Sequence, residues 1–246
     1  SHYDYAKKAI VTGKHVLVET PMVLLGFQAK ELFKMAEERG VILMEANKTA
    51  HCPAFNHLIV MIKSGVIGEV VDIEASVSQL LDKSGREFDP NQSGGALYEQ
   101  GSSVLLPMVK LLGTECRNIN IYSQMENGVD IYTKGVLRYD HAICSFKAGL
   151  GVKTEGNLVI SGTKGYAYVP APWWKTDYFE LRYEDQNKNR KFFYKWDGAG
   201  LRYEIQEFIS CIVNKRFSTA RLRRRESIWI ADVMEQFQTR KNVMEI

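Results

Sequence analysis

The stretch HVLVETPM, His15 to Met22, decides how this chain is read. Val16 to Val18 form a short, β-branched apolar run that stops at Thr20-Pro21, because proline brings no N–H to a strand ladder. It reads as a buried strand, and the end of such a strand is where chemistry often sits. The same grammar continues on both sides. Upstream, YDYAKKAIVTG puts Tyr5, Ala6, Ala9 and Ile10 on one helical face and closes on Gly13. Downstream, FQAKELFKMAEERG spaces Ala29, Leu32, Phe33 and Ala36 as a helix and stops at Gly40. VILMEA is a second buried strand. PAFNHLIVMIKSGVIG begins with Pro53 at a helix start and carries Phe55, Leu58, Ile59 and Ile62 on one face. Helix and strand in this alternation predict a parallel sheet with helices on its faces.

Past Gly68 the pattern changes. EVVDIEASVSQLL reads as a longer strand, and GGALYEQGSSVLLPMVKLLG as a glycine turn followed by a helix ending at Gly113. RNINIYSQM, DIYTKGVLRYD, HAICSFKAG, GNLVISGTKGYAYVP, DYFELRYED and RKFFYKWDG then follow at hairpin-like intervals, which predicts a mostly antiparallel sheet. LRYEIQEFISCIVNKR and RRESIWIADVMEQFQT return to helix. The expectation is an α+β fold. A parallel α/β lobe, residues 1–68, precedes a second part, residues 69–246, built on a large open sheet.

The bulk properties exclude some classes. A net charge of +3 over 246 residues does not argue for nucleic acid as a partner. The basic run RLRRRE, Arg221 to Glu226, reads as a solvated or carboxylate-paired surface rather than an anion site. Cys52, Cys116, Cys144 and Cys211 fit neither a zinc site nor a disulfide framework, so they are expected as isolated thiols in a reducing compartment. No apolar run approaches the length of a membrane span and the N-terminus lacks a signal-peptide pattern, which together predict a cytoplasmic protein with no membrane partner.

Read in order, a strand ending in E-x-P, a strand ending in EA, a helix running into SGVIGEV, GGAL…G and a large sheet resemble the glucose–fructose oxidoreductase/inositol dehydrogenase/MocA (Gfo/Idh/MocA) family, its dihydrodiol-dehydrogenase-like branch in particular. GTKGYAYVPAPWWK and ESIWIADVME add to the resemblance, which covers essentially the whole chain. It implies an NAD- or NADP-dependent sugar or polyol oxidoreductase, with a Rossmann domain ahead of a C-terminal domain whose sheet builds an oligomer interface. It also implies a glycine loop of the GxGxxG type at the Rossmann opening. This sequence contains no such loop. By the resemblance Ser1 falls at the helix after the fourth Rossmann strand, so on the order of 60–90 residues of βαβ opening are expected to be lacking, and the cofactor is not expected to bind to this chain alone.

The resemblance also assigns positions. The family's loop is usually Glu-Lys-Pro; here it is Glu19-Thr20-Pro21, with Glu19 and Pro21 on the nicotinamide side. Threonine can orient a hydroxyl but carries no charge. The second motif, usually Asp-x-Gly-x-His or Asp-x-Gly-x-Tyr, here runs from Glu99 through Gly101 to Ser103. A serine without an activating base is a poor general acid, and only His51 or His141 offers one. Thr20, Glu99 and Ser103 are therefore the family's catalytic positions in degenerate form, and they predict a catalytically degenerate relative of the oxidoreductases.

Candidate substrate residues are Glu45 and His51 after the second strand, Trp173, Trp174 and Lys175 in PWWKTD, and Tyr203 with Glu204 in GLRYE. Aromatic rings beside polar groups suit stacking on a sugar ring. The bland alternatives are a capped loop, a sheet corner or subunit contact, and core packing. FFYKW, Phe192 to Trp196, is expected to cover one sheet face in a subunit contact. A sheet with one bare apolar face predicts a homo-oligomer, a dimer through that face. Alternative functions are a non-catalytic carbohydrate-binding or oligomerisation module serving a partner enzyme of surface-polysaccharide or nucleotide-sugar metabolism, and a fragment of a longer active oxidoreductase.

Overall fold

A computed structural model describes residues 1–246. Seven helices and eleven strands form two sheets. The first lobe holds α1 (His2–Val11), β1 (Val16–Glu19), α2 (Gly26–Glu38) and β2 (Leu43–Ala46); the single turn α3 (Lys48–His51) and α4 (Pro53–Lys63) follow and bury their apolar residues in the core of the second sheet. β1 and β2 pair in parallel from Val16↔Leu43 to Glu19↔Ala46, so their carboxyl ends lie side by side. Two short parallel strands cannot bury their own surface. Ala6 and Ile10 of α1 and Ala29, Leu32, Phe33 and Ala36 of α2 close over Val18 and Leu43 to do it.

The second sheet has nine strands: β3 (Val70–Ser78), β4 (Asn118–Glu126), β5 (Val129–Arg138), β6 (Ile143–Gly149), β7 (Leu158–Gly162), β8 (Tyr166–Val169), β9 (Tyr178–Arg182), β10 (Arg190–Phe193) and β11 (Val243–Glu245). Their order is β10-β9-β8-β7-β3-β6-β5-β4-β11. β3–β6 and β4–β11 are parallel and the other pairs antiparallel. The α+β fold read from the sequence is the one found. Its inner face, with Ile73, Ala75, Phe146, Leu158, Ile160 and Phe179, is covered by α4 and by α5 (Ala96–Leu112) in one core. α6 (Leu201–Val213) packs on α3.

The C-terminal helix α7 (Arg224–Gln238) ties the lobes together. Trp229, Ile230, Val233, Met234 and Phe237 enter the large core, and Ala231 enters the small one. A Cβ on Gly26 would lie 1.7 Å from Asp232 Oδ1, so glycine permits the close approach of α2 to α7. Glu235 accepts the Gly26 N–H at 2.8 Å.

Strand alternation corrects two expectations about the sheet. Of the aromatic residues in FFYKW only Phe193 faces out, 75% exposed. Phe192 stacks on Phe179, Tyr194 bonds His57, and neither is free for a subunit contact. The outer face is also not bare and apolar. Lys134, Lys147, Glu180 and Arg182 sit among its tyrosines, with Arg182 paired to Glu180 at 2.5 Å. The basic run is carboxylate-paired in part: Arg221 lies 3.6 Å from Glu207, and Arg224 2.8 Å from Glu37.

Glu226 anchors the start of α7. Its carboxylate accepts the Arg223 N–H at 2.6 Å and meets Lys110 of α5 at 3.0 Å, with both side chains of that ion pair only 5% exposed. Removing one member strands a buried charge, which costs about 3–5 kcal/mol. Lys110→Met is therefore expected to lower unfolding stability by about 3 kcal/mol, whereas Lys110→Met with Glu226→Gln recovers much of the loss. Urea denaturation of the two variants measures both.

Candidate functional site

The site is built where β1 and β2 end. β1 runs out at Glu19, and Thr20-Pro21, a cis peptide bond, turns the chain away. β2 runs out at Ala46 and Asn47 caps α3, its Oδ1 accepting the Ala50 N–H at 3.1 Å. The Asn47 amide also donates to the Ser102 carbonyl at 3.2 Å, which fastens this strand end to α5. The entry to α5 is fixed by the two glycines of GGAL. A Cβ on Gly94 would lie 2.5 Å from the Glu87 carbonyl oxygen, and Gly95 has φ +134°. Asp130 then accepts the Leu97 N–H at 2.9 Å. From that start Glu99 and Ser103 fall one helical turn apart. Pro107 lacks the N–H that would bond the Ser103 carbonyl, so that acceptor is released from the helix ladder.

Two adjoining cavities open here. The larger, about 840 Å³, is lined by Glu19, Thr20, Pro21, Lys48, Arg86, Tyr98 and Glu99 among others. The smaller, about 330 Å³, is lined by Glu19, Thr20, Asn47, Lys48, Thr49, Ser103, Trp174, Lys175 and Trp196. Glu19, Thr20 and Lys48 form the wall common to both. Thr20 and Ser103 thus meet at the smaller cavity, while Glu99 faces the larger one. There Arg86 holds Glu99 through two bonds of 2.9 and 3.1 Å.

The other sequence candidates divide. Trp174 and Lys175 stand on the smaller cavity's wall. Trp173 is 0% exposed and donates its indole N–H to the Ser76 carbonyl at 2.8 Å, so it belongs to the core. Tyr203 is buried behind Trp196, its ring edge-on to the indole at 5.5 Å, and its hydroxyl accepts the Asp197 N–H. Glu45 lies beneath the wall; its Oε1 is 3.4 Å from Ser102 Oγ and its Oε2 has no partner. Burial raises its pKa. His51 is fully buried with both ring nitrogens unpaired, and burial, followed by the Arg221 charge, pushes its pKa down to about 4. His51 is on neither cavity wall, and His141 is exposed in the β5–β6 turn.

Sequence reasoning did not pick out Lys48 or Trp196. Lys48 opens a four-residue helix, too short to carry a period, and Trp196 sat in a run read as sheet surface. Glu204, in the first turn of α6, is 1% exposed and its Oε2 is unpaired. Burial first, then the charge of Glu19, raises its pKa to about 7, with Lys48 opposing.

NAD or NADP would require a cradle for pyrophosphate, usually backbone N–H groups at a helix N-terminus. The starts of α1 (Ser1, His2, Tyr3), α2 (Leu25), α3 (Lys48) and α5 (Tyr98, Glu99) border the larger cavity. Glu235 already occupies the Gly26 N–H of α2, and Asp130 the Leu97 N–H of α5. Glu19, Thr20 and Pro21 offer a wall for a nicotinamide ring, and no glycine loop of the GxGxxG type is among the residues lining either cavity.

The comparisons with known proteins agree with this architecture. Residues 55–168 match the GFO/IDH/MocA C-terminal domain, and residues 1–47 match the oxidoreductase family with an NAD-binding Rossmann fold. Trans-1,2-dihydrobenzene-1,2-diol dehydrogenase from Oryctolagus cuniculus is 28% identical over 236 residues, covering 92% of this chain and 71% of that protein. The dTDP-3,4-didehydro-2,6-dideoxy-alpha-D-glucose 3-reductase of Actinomadura kijaniata is 30% identical over 168 residues, 68% of this chain and 49% of the reductase. The crystal structure of KijD10, a 3-ketoreductase from Actinomadura kijaniata with NADP and TDP-benzene, superposes with a TM-score of 0.86 at 20% identity, over 100% of this chain and 76% of that one. At that identity the likeness is one of fold.

Because the folded state holds the Glu204 proton more tightly than an unfolded chain does, the stability this gives is full below the ordinary value of 4.5 and declines as pH rises to about 7. Glu204→Gln removes the titration. Its melting temperature relative to the parent is expected to climb between about pH 5 and pH 8, by the equivalent of roughly 2 kcal/mol, tempered by water in the adjoining cavities. A difference that stays flat across that range refutes the assignment.

Proposed function

The chain belongs to the GFO/IDH/MocA oxidoreductase family, whose members are NAD(P)-dependent, and from that premise we propose that it is a catalytically degenerate member that retains a crevice for a small sugar or polyol. The observation that carries the reading is the smaller cavity. It brings Thr20 and Ser103, the two positions where the family keeps its proton-transfer groups, against Trp174, Trp196 and Lys175. Indole faces beside hydroxyl and ammonium groups suit a sugar ring, which presents C–H faces and O–H edges. Among its relatives, a nucleotide-sugar reductase from Actinomadura kijaniata supports the substrate class.

Loss of the alcohol chemistry follows from the hydroxyls. Thr20 and Ser103 can donate and accept hydrogen bonds, but neither takes a proton from an alcohol at neutral pH without a base beside it. His51 is buried and faces neither cavity, the Glu99 carboxylate is bound by Arg86, and Glu19, Lys48 and Lys175 share the wall without a hydrogen bond to either hydroxyl. Losing a general acid–base group costs about 10²–10⁴ in rate. The non-catalytic role this leaves is carbohydrate binding in the service of a partner enzyme. We further propose a homodimer through the outer face of the large sheet. Tyr122, Tyr132, Tyr166 and Tyr168 interleave with charged residues there, a mix suited to a contact between copies. Four free thiols suit a reducing compartment such as the cytoplasm.

Calorimetry tests the redox half of this reading: NADH and NADPH titrated into the chain are expected to give no binding heat, and micromolar binding of either would sink it. Size-exclusion chromatography with light scattering tests the dimer. A dimer is expected at micromolar concentration and is expected to dissociate in Tyr168→Lys; a monomeric parent chain refutes this interface.

A further inference from the structure

We propose that the smaller cavity is a binding site for a single pyranose ring that carries an anionic group, a carboxylate or a phosphate. The proposal rests on the sugar-crevice reading and adds a charge to it. Four features of the wall lead there.

The first is rigidity. Trp196 donates its indole N–H to the Gly198 carbonyl at 2.9 Å and is backed by Tyr203. Gly200, at φ +81°, leaves room for the indole, since a Cβ there would lie 2.4 Å from it. The Trp174 backbone is tied to α3 by the Thr49 hydroxyl, which donates to its carbonyl at 2.7 Å, and the Trp174 ring packs against the large core beside Gly156. Two indoles held before any ligand arrives lose little freedom on binding.

The second is charge. Lys48 and Lys175 both stand on this wall, and neither ammonium is within ion-pair distance of a carboxylate. Glu19 is the one acid on the same wall, and Glu204, buried near Lys48, has its pKa raised to about 7 by burial, so it carries only part of a charge near neutrality. Two cations against one exposed carboxylate leave an excess of positive charge in a concave, partly apolar site, which favours an anion.

The third is the supply of neutral partners. Asn47 and Thr49 use their side chains inside the protein, on Ala50 and Ser102 and on Trp174. The hydroxyls of Thr20 and Ser103 remain for ring hydroxyls. The fourth is size. About 330 Å³ is at the lower end for ligand sites and suits one sugar ring with its charged substituent, not a whole nucleotide sugar.

The cavity supplies its own probe, because two of the chain's four tryptophans line it. The full chain is titrated at neutral pH and low salt with D-glucuronate, D-glucose 6-phosphate, D-glucose and inorganic phosphate, following indole emission. Glucuronate or glucose 6-phosphate is expected to bind at least about tenfold more tightly than glucose, and the better of the two tells carboxylate from phosphate. Lys48→Gln and Lys175→Gln are each expected to weaken that anion about fivefold while leaving glucose within about twofold. Lys175 is exposed, so its variant keeps the fold even where Lys48→Gln does not. Glucose binding as tightly as both anions overturns the proposal but leaves the sugar crevice standing. Inorganic phosphate that matches the sugar anions overturns it as a general anion patch. Silence from all three sugars overturns the proposal and the crevice together.

Discussion

Everything in this molecule depends on α7 having two apolar faces. A helix near the end of the chain enters the large core with Trp229, Val233 and Met234 and the small one with Ala231. The small lobe has only two strands and could not hold its helices in place alone. Pinned by α7, it presents the ends of β1 and β2 to the start of α5, and both cavities exist because of that juxtaposition. The buried Lys110–Glu226 pair sets the entry angle of α7 from the α5 side, and Glu235 sets it from the α2 side. The site is therefore a property of the packing between lobes more than of either lobe by itself.

Periodicity made the first lobe legible. Apolar residues three and four apart in α1, α2 and α4 mark their buried faces, and the short β-branched runs between them become β1 and β2. The strands of the large sheet were legible for the same reason at period two. What escaped was everything decided by direction rather than by pattern. In FFYKW the alternation assigns Phe192 inward and Phe193 outward only once the register with Tyr178 and Phe179 is known. β11 is three residues long and pairs in parallel with β4, a contact no local pattern announces.

The site followed the same division. Thr20 and Ser103 were legible as positions because they stand in motifs of fixed spacing. Lys48 was not, since one turn of helix has no face to read and its importance comes from the wall it shares with Thr20. The tandem tryptophans of PWWKTD illustrate the limit well: identical in kind and adjacent in sequence, they part company in space, Trp173 into the core and Trp174 onto the cavity. Glu204 was legible as a candidate, but its raised pKa was not, because that lies in what surrounds it, a lack of partners that only burial makes costly.

The two margins of the large sheet carry a consequence of their own. At one end β10 displays Arg190 and Lys191, and at the other β11 is three residues long and clipped by Arg240 to Glu245 at 3.0 Å. Such margins give an approaching strand little backbone to zip onto and meet it with like charge. The ladder is finite by construction. Growth in the plane of the sheet is discouraged.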